Sequence, residues 1–208
     1  NFLINTEEIK NEFTNFKSKD FCYFLEHEKL DYISYPYEWG FQQLKDAALH
    51  HLNFQIFLLE RNAILIDSSA FNIQFRNNKP IFIDVLSIDK YVEGEYWKGH
   101  AQFLQQFLNP LLLRSLKGIS FNDWYKGNLD GIKTTELNSL LSLKDKLSFN
   151  VFFSVVLLSK LEIKNTINPK AALKKIAEKK VLSKNSYKGL LIQLKNWIKK
   201  LTPLKTKT

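Results

Sequence analysis

The sequence predicts an α+β fold that is mostly helical. Three observations carry this expectation. Two long stretches, 41–62 and 96–116, place apolar residues at helical spacing. Between them, two short apolar runs flank a polar turn, the pattern of a β-hairpin. Beyond residue 163 lysines interleave with apolar residues, which reads as a basic helical tail.

The chain has 208 residues, 45% hydrophobic and 14% aromatic, enough for one domain with a small appendage and a core that needs neither disulfide nor metal. Its single cysteine, Cys22, excludes a disulfide framework and a thiolate zinc set, and reads as a structural thiol in a reducing compartment. No apolar run approaches the roughly 20 residues of a membrane span, and "NFLINTEEIKNEF" lacks the pattern of a signal peptide, so the expected location is cytoplasmic. The chain contains no methionine, which suggests an internal piece of a longer polypeptide.

The net charge of +9 is unevenly placed. From Lys164 onward there are thirteen lysines and one acid, Glu178, leaving a net of −3 for residues 1–163. Such a tail admits contact with nucleic acid, an anionic membrane surface or an acidic neighbour. The plainer reading is a solvated helix face or linker.

In chain order, residues 1–33 are polar with scattered aromatics and predict one or two helices. "ISYPYEWG" (33–40) predicts extended chain, since Pro36 pushes Tyr35 towards β geometry and Gly40 breaks the run. In 41–62, Phe41, Leu44, Ala48, Leu52, Gln55 and Leu59 follow one helical face. His50 and His51 point about 100° apart on that helix and so read as structural rather than as a shared metal site. Ile73–Phe75 and Ile81–Ile83 are the hairpin strands, around "RNNKP", whose asparagines tolerate positive φ. A loop through "SIDKYVEGE" leads to helix 96–116, which Pro110 should kink. Residues 118–132 read as loop with a short helical turn, and 142–163 as a buried helix, with a strand as the alternative. In the tail, Asn168 and Pro169 form a helix start. The last helix sets Leu190, Leu194, Trp197 and Leu201 on one face.

The hairpin carries the candidate chemistry. Asp67 and Asn72 stand before its first strand and Asp84 directly after its second. A hairpin brings its ends together, so Asn72 and Asp84 should be neighbours. One amide oxygen and one carboxylate make a hard-oxygen site suited to Mg²⁺, which keeps waters and takes phosphate oxygens as further ligands. Asp67, outside that pair, could accept a proton from a hydroxyl. This is what phosphoryl transfer requires. The competing reading is that Asp and Asn sit there as turn and capping residues.

The Asp67–Asn72–hairpin–Asp84 order resembles the catalytic loop and metal-binding hairpin of the protein-kinase-like fold, including aminoglycoside-phosphotransferase-type kinases. The resemblance implies the large lobe of that fold, with Asp67 as the catalytic carboxylate and Asn72 and Asp84 as Mg²⁺ ligands. It makes "ISYPYEW" the last small-lobe strand and hinge, with Tyr35, Tyr37 and Trp39 beside a nucleotide or substrate, ATP above all. The departures are specific. Leu65-Ile66 replace the usual His before the Asp, and Val85-Leu86 replace Phe-Gly after the metal Asp. No Gly-rich loop or recognisable phosphate lysine precedes the hinge, so the chain holds at most the large lobe.

A narrower resemblance rests on "SYPYEWGFQQLKDAALHHL", "DSSAFNIQF", "KPIFIDVLSIDKYVEGEYW", "QFLQQFLNPLLL" and "SKNSYKGLLIQLKNWIKKL". These stretches look like the kinase-like region that precedes the methyltransferase domain in bacterial class I SAM-dependent methyltransferases related to nodulation proteins. The seven glycines form no GxGxG-like cluster, so a SAM site is expected only in a domain beyond residue 208. The implied division is 1–40 as a small-lobe remnant and hinge, 41–163 as the kinase-like large lobe, and 164–208 as a connector. The implied partners are a methyltransferase domain in the same polypeptide and a small-molecule substrate. Two other readings remain open: a phosphotransferase large lobe acting on a small molecule, and a non-enzymatic basic binding module using 164–208.

Overall fold

The computed structural model describes residues 1–9, 24–95, 97–160 and 183–205. Cys22 and the helix start at Asn168 and Pro169 lie outside them. Among the described residues the fold is α+β and mostly helical, with three small antiparallel sheets of two strands each.

The N-terminal stretch corrects the helical expectation where it is described. Residues Thr6–Glu8 (β1) pair with Leu25–His27 (β2). The chain start also docks on the hairpin. Phe82 N donates to Phe2 O and Ile4 N to Phe82 O, both at 2.9 Å. The Phe2 ring stacks on Phe54, 5.4 Å between centroids. The 33–40 segment is extended only at its ends. Pro36–Glu38 forms a 3-10 turn, with Tyr35 N held by the Glu38 carboxylate at 2.8 Å.

Helix α1, Phe41–Leu59, follows the predicted face: Leu44, Ala48, Leu52, Gln55 and Leu59 are buried, Phe41 is half-buried, and His51 is buried beside them. It ends as Asn62 takes a left-handed φ of 58°, a conformation Asn tolerates. Ala63–Leu65 (β3) then pairs with Ile88–Lys90 (β6), a strand not visible in the "SIDKYVEGE" loop. Between them lies the hairpin, Ile73–Arg76 (β4) and Lys79–Phe82 (β5). Its turn is two residues, Asn77 and Asn78, with φ of 50° and 61°. Positive φ at both centres matches the strand twist, which is why the asparagines sit there.

Helix α2 covers 100–117 and does not break at Pro110. It runs as α-helical His100–Phe103 and Asn109–Leu112 with wide π-type turns, Leu104–Leu108 and Leu113–Lys117, alternating between them. In the first wide turn Asn109 N donates to Leu104 O, five residues back. The Gln105 carbonyl is thereby released, and Ile132 N takes it at 2.9 Å. Gly131 permits this approach. Its φ is +86°, and a Cβ there would lie 2.3 Å from Gln105 O.

Four further helical segments follow: Asn122–Gly127 (α3), Thr134–Leu140 (α4), Leu143–Lys146 (α5) and 149–160 (α6), the last with a wide turn over Phe152–Leu157. The helical reading of 142–163 thus holds for 143–146 and 149–160, with a break at Leu147 and Ser148, and its burial holds on one side only, at Val151, Val155 and Val156. Leu147 is 85% and Phe149 74% exposed.

Helix α7, Lys184–Lys200, lies along α1. Its buried face is Tyr187, Leu191 and Ile198, with Leu194 and Trp197 half-buried. Leu190, expected on that face, is 53% exposed. Lys45 of α1 donates to the Lys199 and Leu201 carbonyls, each at 2.8 Å, satisfying orphan acceptors at the helix C-terminus. The described part of the basic tail is therefore packed against the fold. Among the described residues, no helix is long and apolar enough to cross a membrane.

Candidate functional site

The site is built at the base of the β4–β5 hairpin. Antiparallel pairing aligns Ile73 with Phe82, so the residues just outside the ladder, Asn72 and Ile83, meet. Ile83 N donates to Asn72 O at 2.9 Å. One residue further on, Asn72 Nδ2 donates to Asp84 Oδ2 at 3.2 Å. The hairpin thus brings together the two residues that the sequence pairs.

Both Asp84 oxygens have local partners. Oδ1 accepts from Leu86 N at 3.1 Å, and Oδ2 also accepts from the Ser87 hydroxyl. Asp84 therefore caps the short 3-10 turn Val85–Ser87. Ionised carboxylate offers about four lone-pair sites, so these bonds leave room for a cation. Asn72 presents its NH₂ to Asp84, an arrangement that braces the carboxylate. Among the described residues no three His, Cys, Asp or Glu side chains cluster around a common centre. With the amide so placed, an ion here would rest on Asp84 and on oxygens from water or a ligand.

Asp67 sits in the loop after β3, half-buried. Its Oδ1 accepts from Ser69 N at 2.8 Å, a local turn bond. Closure of β3 on β6 holds the two ends of the site together: Leu65 pairs with Ile88, and Ile66 N donates to Ser87 O at 2.9 Å.

Three glutamines fix this loop, and the sequence reading missed them. Gln55 of α1 accepts from Leu65 N at 2.8 Å. From α2, Gln102 accepts from Ser68 N at 2.8 Å, and Gln106 accepts from Ala70 N at 2.7 Å and from the Ser69 hydroxyl at 3.2 Å. An irregular loop buried under two helices has no ladder for its N–H groups, so side-chain carbonyls replace it. Gln55 carried a legible signal: it is a polar residue on an otherwise apolar helical face. Gly99, which opens α2, lets the helix approach, since a Cβ there would lie 2.1 Å from Ser68 Oγ.

The aromatic candidates divide. Tyr35 and Tyr37 stack, 5.3 Å between centroids at 12°, and Tyr35 also meets Phe71 at 6.5 Å. Phe71 lies between Asp67 and Asn72, so this aromatic row reaches the loop carrying the polar site. Tyr35 is 42% exposed. The Tyr37 phenol is shifted up by desolvation and then by the charges of Glu38 and Tyr35. Trp39 is a different case. It is buried, its indole N–H donates to Ser34 Oγ at 2.9 Å, and its ring meets Phe75 edge-on. It supports the segment from the core and offers no accessible face to a ligand.

The tail lysines at the start of α7 are likewise engaged. Lys188 pairs with Glu60 at 2.6 Å, and Lys184 donates to Asn62 Oδ1 at 2.8 Å.

Comparison with known proteins finds a curated relative. The chain is 42% identical over 174 residues to "Nodulation protein NoeA" of Rhizobium meliloti (strain 1021). The match covers 84% of this chain and 36% of that protein. The chain thus spans about a third of the length of the curated relative it matches. No protein-family model matches the chain, and no solved structure matches it.

Proposed function

We propose that this chain is a kinase-like module of a two-domain SAM-dependent methyltransferase, built as a large lobe that binds Mg²⁺ with a nucleotide or a phosphorylated substrate. One observation carries the reading. A carboxylate and an amide from opposite ends of a tight hairpin lie 3.2 Å apart, next to a clamped loop that holds a second carboxylate. In this reading Asp84 and Asn72 hold the metal, whose charge would offset that of phosphate oxygens. Turning the Asn72 amide over would present its oxygen in place of its nitrogen. Asp67 keeps one oxygen without a hydrogen bond among the described residues, available to orient a hydroxyl. The Tyr35–Tyr37 row offers a flat face for a base or an aromatic substrate.

The fraction of the nodulation-protein relative covered by the chain supports a module that works beside further sequence; in this reading SAM would bind there and not in this chain. The free oxygen of Asp67 favours a second reading, a phosphotransferase lobe acting on a small molecule. The docked α7 gives less support to a free basic arm for nucleic acid.

The test is calorimetric titration of ATP with and without Mg²⁺, on this chain and on the longer polypeptide. Binding that requires Mg²⁺ and disappears in Asp84→Asn, with unchanged circular dichroism, is expected. Failure to bind in either protein would refute the metal-site reading. Phosphate transfer to a hydroxyl acceptor would select the phosphotransferase reading.

A further inference from the structure

Away from the hairpin, a cleft of about 360 Å³ opens between the start of α2, helix α6 and helix α7. This falls in the range of roughly 300–1,000 Å³ typical of small-ligand pockets. Its walls are aromatic and aliphatic: Trp97, Phe149, Phe153, Tyr187, Leu194 and Trp197. Several are fixed from behind. Gln55 holds the Tyr187 hydroxyl at 2.7 Å, and Trp97 packs on Phe103 with centroids 5.4 Å apart. Phe153 and Ser154 stand on the wide turn of α6. Such turns are rare and recur at functional sites.

The charge of the lining decides what fits. No lysine, arginine, aspartate or glutamate is among the described residues that line the cleft. His100 is neutral near pH 7, because burial holds its pKa down at about 4. The polar groups left are Asn150, Ser154 and Gln193. Among the described residues a charged ligand would lose water here without meeting a charged partner, whereas aromatic rings would stack on the walls.

We propose that this cleft is a second ligand site, distinct from the hairpin, for an uncharged aromatic small molecule with amide or hydroxyl groups at one edge. Ring faces rest on the aromatic walls, and Asn150, Ser154 and Gln193 meet the polar edge. The proposal stands independently of any metal or nucleotide at Asp84.

The probe pair is N-phenyl-1-naphthylamine and its anionic 8-sulfonate, which share a ring skeleton and differ by one charge. Each is titrated into the whole chain and followed by probe fluorescence. The neutral probe is expected to bind at one site per chain, about tenfold or more tighter than the sulfonate, and to weaken about tenfold in Phe153→Ala and in Leu190→Glu. Phe153 and Leu190 are 47% and 53% exposed, so neither change removes core. Equal binding of the two probes, or neutral-probe binding indifferent to both substitutions, would overturn the assignment. So would concentration-dependent dimerisation abolished by Leu190→Glu, which would give the cleft to a second copy of the chain.

Discussion

His51 makes the fold acid-sensitive, and the size of the effect follows from its surroundings. The residue is fully buried among Phe82, Trp97, Phe103 and Phe107, with ring centroids 5.4–6.0 Å away. Neither ring nitrogen has a hydrogen-bond partner among the described residues. Burial, with a smaller contribution from His50, holds its pKa at about 3, against 6.5 for an exposed histidine. A histidine lowered by folding takes up protons more readily in the unfolded chain. Above pH 6.5 the ring is neutral in both states and adds no pH-dependent cost, and stability is lost as pH falls from 6.5 towards 3. At pH 5 the unfolded imidazole is stabilised by 1.5 pH units' worth of protonation, about 2 kcal/mol. Any folded pKa below about 4 gives nearly the same figure. His50 and His100 shift in the same direction and add to the loss. Asp145 does not enter this window. Burial raises its carboxyl, but hydrogen bonds from Lys117 and Ser142 outweigh that and hold it at about 2. Urea unfolding followed by tryptophan fluorescence, at pH 8 and pH 5, measures the effect. His51→Leu, close in volume and without nitrogens, should reduce the pH 8 to pH 5 loss by about 2 kcal/mol. A variant with the same loss as the parent chain would refute the reasoning.

Gly131→Ala should destabilise by about 3 kcal/mol, since it combines a strained positive φ with a backbone collision; a thermal midpoint within 2 °C of the parent would contradict the close approach to Gln105 O. Gln55→Leu takes the acceptor from Leu65 N and the donor from Tyr187, so a loss of about 2 kcal/mol is expected, with faster amide exchange at Leu65. Exchange at Leu65 as slow as in the parent chain would mean that another group satisfies it. Asp84→Asn removes the charge that the metal reading needs and keeps an acceptor for Leu86 N, but sets an NH₂ against Asn72 Nδ2, so a loss of about 1 kcal/mol is expected while Mg²⁺-dependent binding is lost.

Much of the fold was legible in local chemistry. Helix α1 declares its buried face by apolar spacing uninterrupted by Gly or Pro. The hairpin declares itself by Asn77-Asn78 between two apolar runs, and its closure explains why Asn72 and Asp84 meet. These features depend on residues near in sequence, so a linear pattern carries them. Strand β6 was not legible, because a three-residue strand has too little pattern to stand out, and its partner β3 lies more than twenty residues away. Pro110 misled in a related way. Its missing donor argues for a kink, but wide turns on either side re-route the carbonyls, and one of them is taken by Ile132 N.

By itself the sequence determined the mostly helical class, the hairpin and the proximity of a carboxylate to an amide at its base. Only the tertiary structure decided what surrounds them. It set Trp39 in the core and left Tyr35 outside, turned α7 so that Tyr187 and Leu191 face inward and Leu190 outward, and brought Gln55, Gln102 and Gln106 from two helices onto one loop. The physical reason is the range of the interactions. Periodicity and turn chemistry are settled within a few residues, whereas which N–H groups a buried loop leaves unpaired, and which side chains must reach them, depends on how separate helices pack.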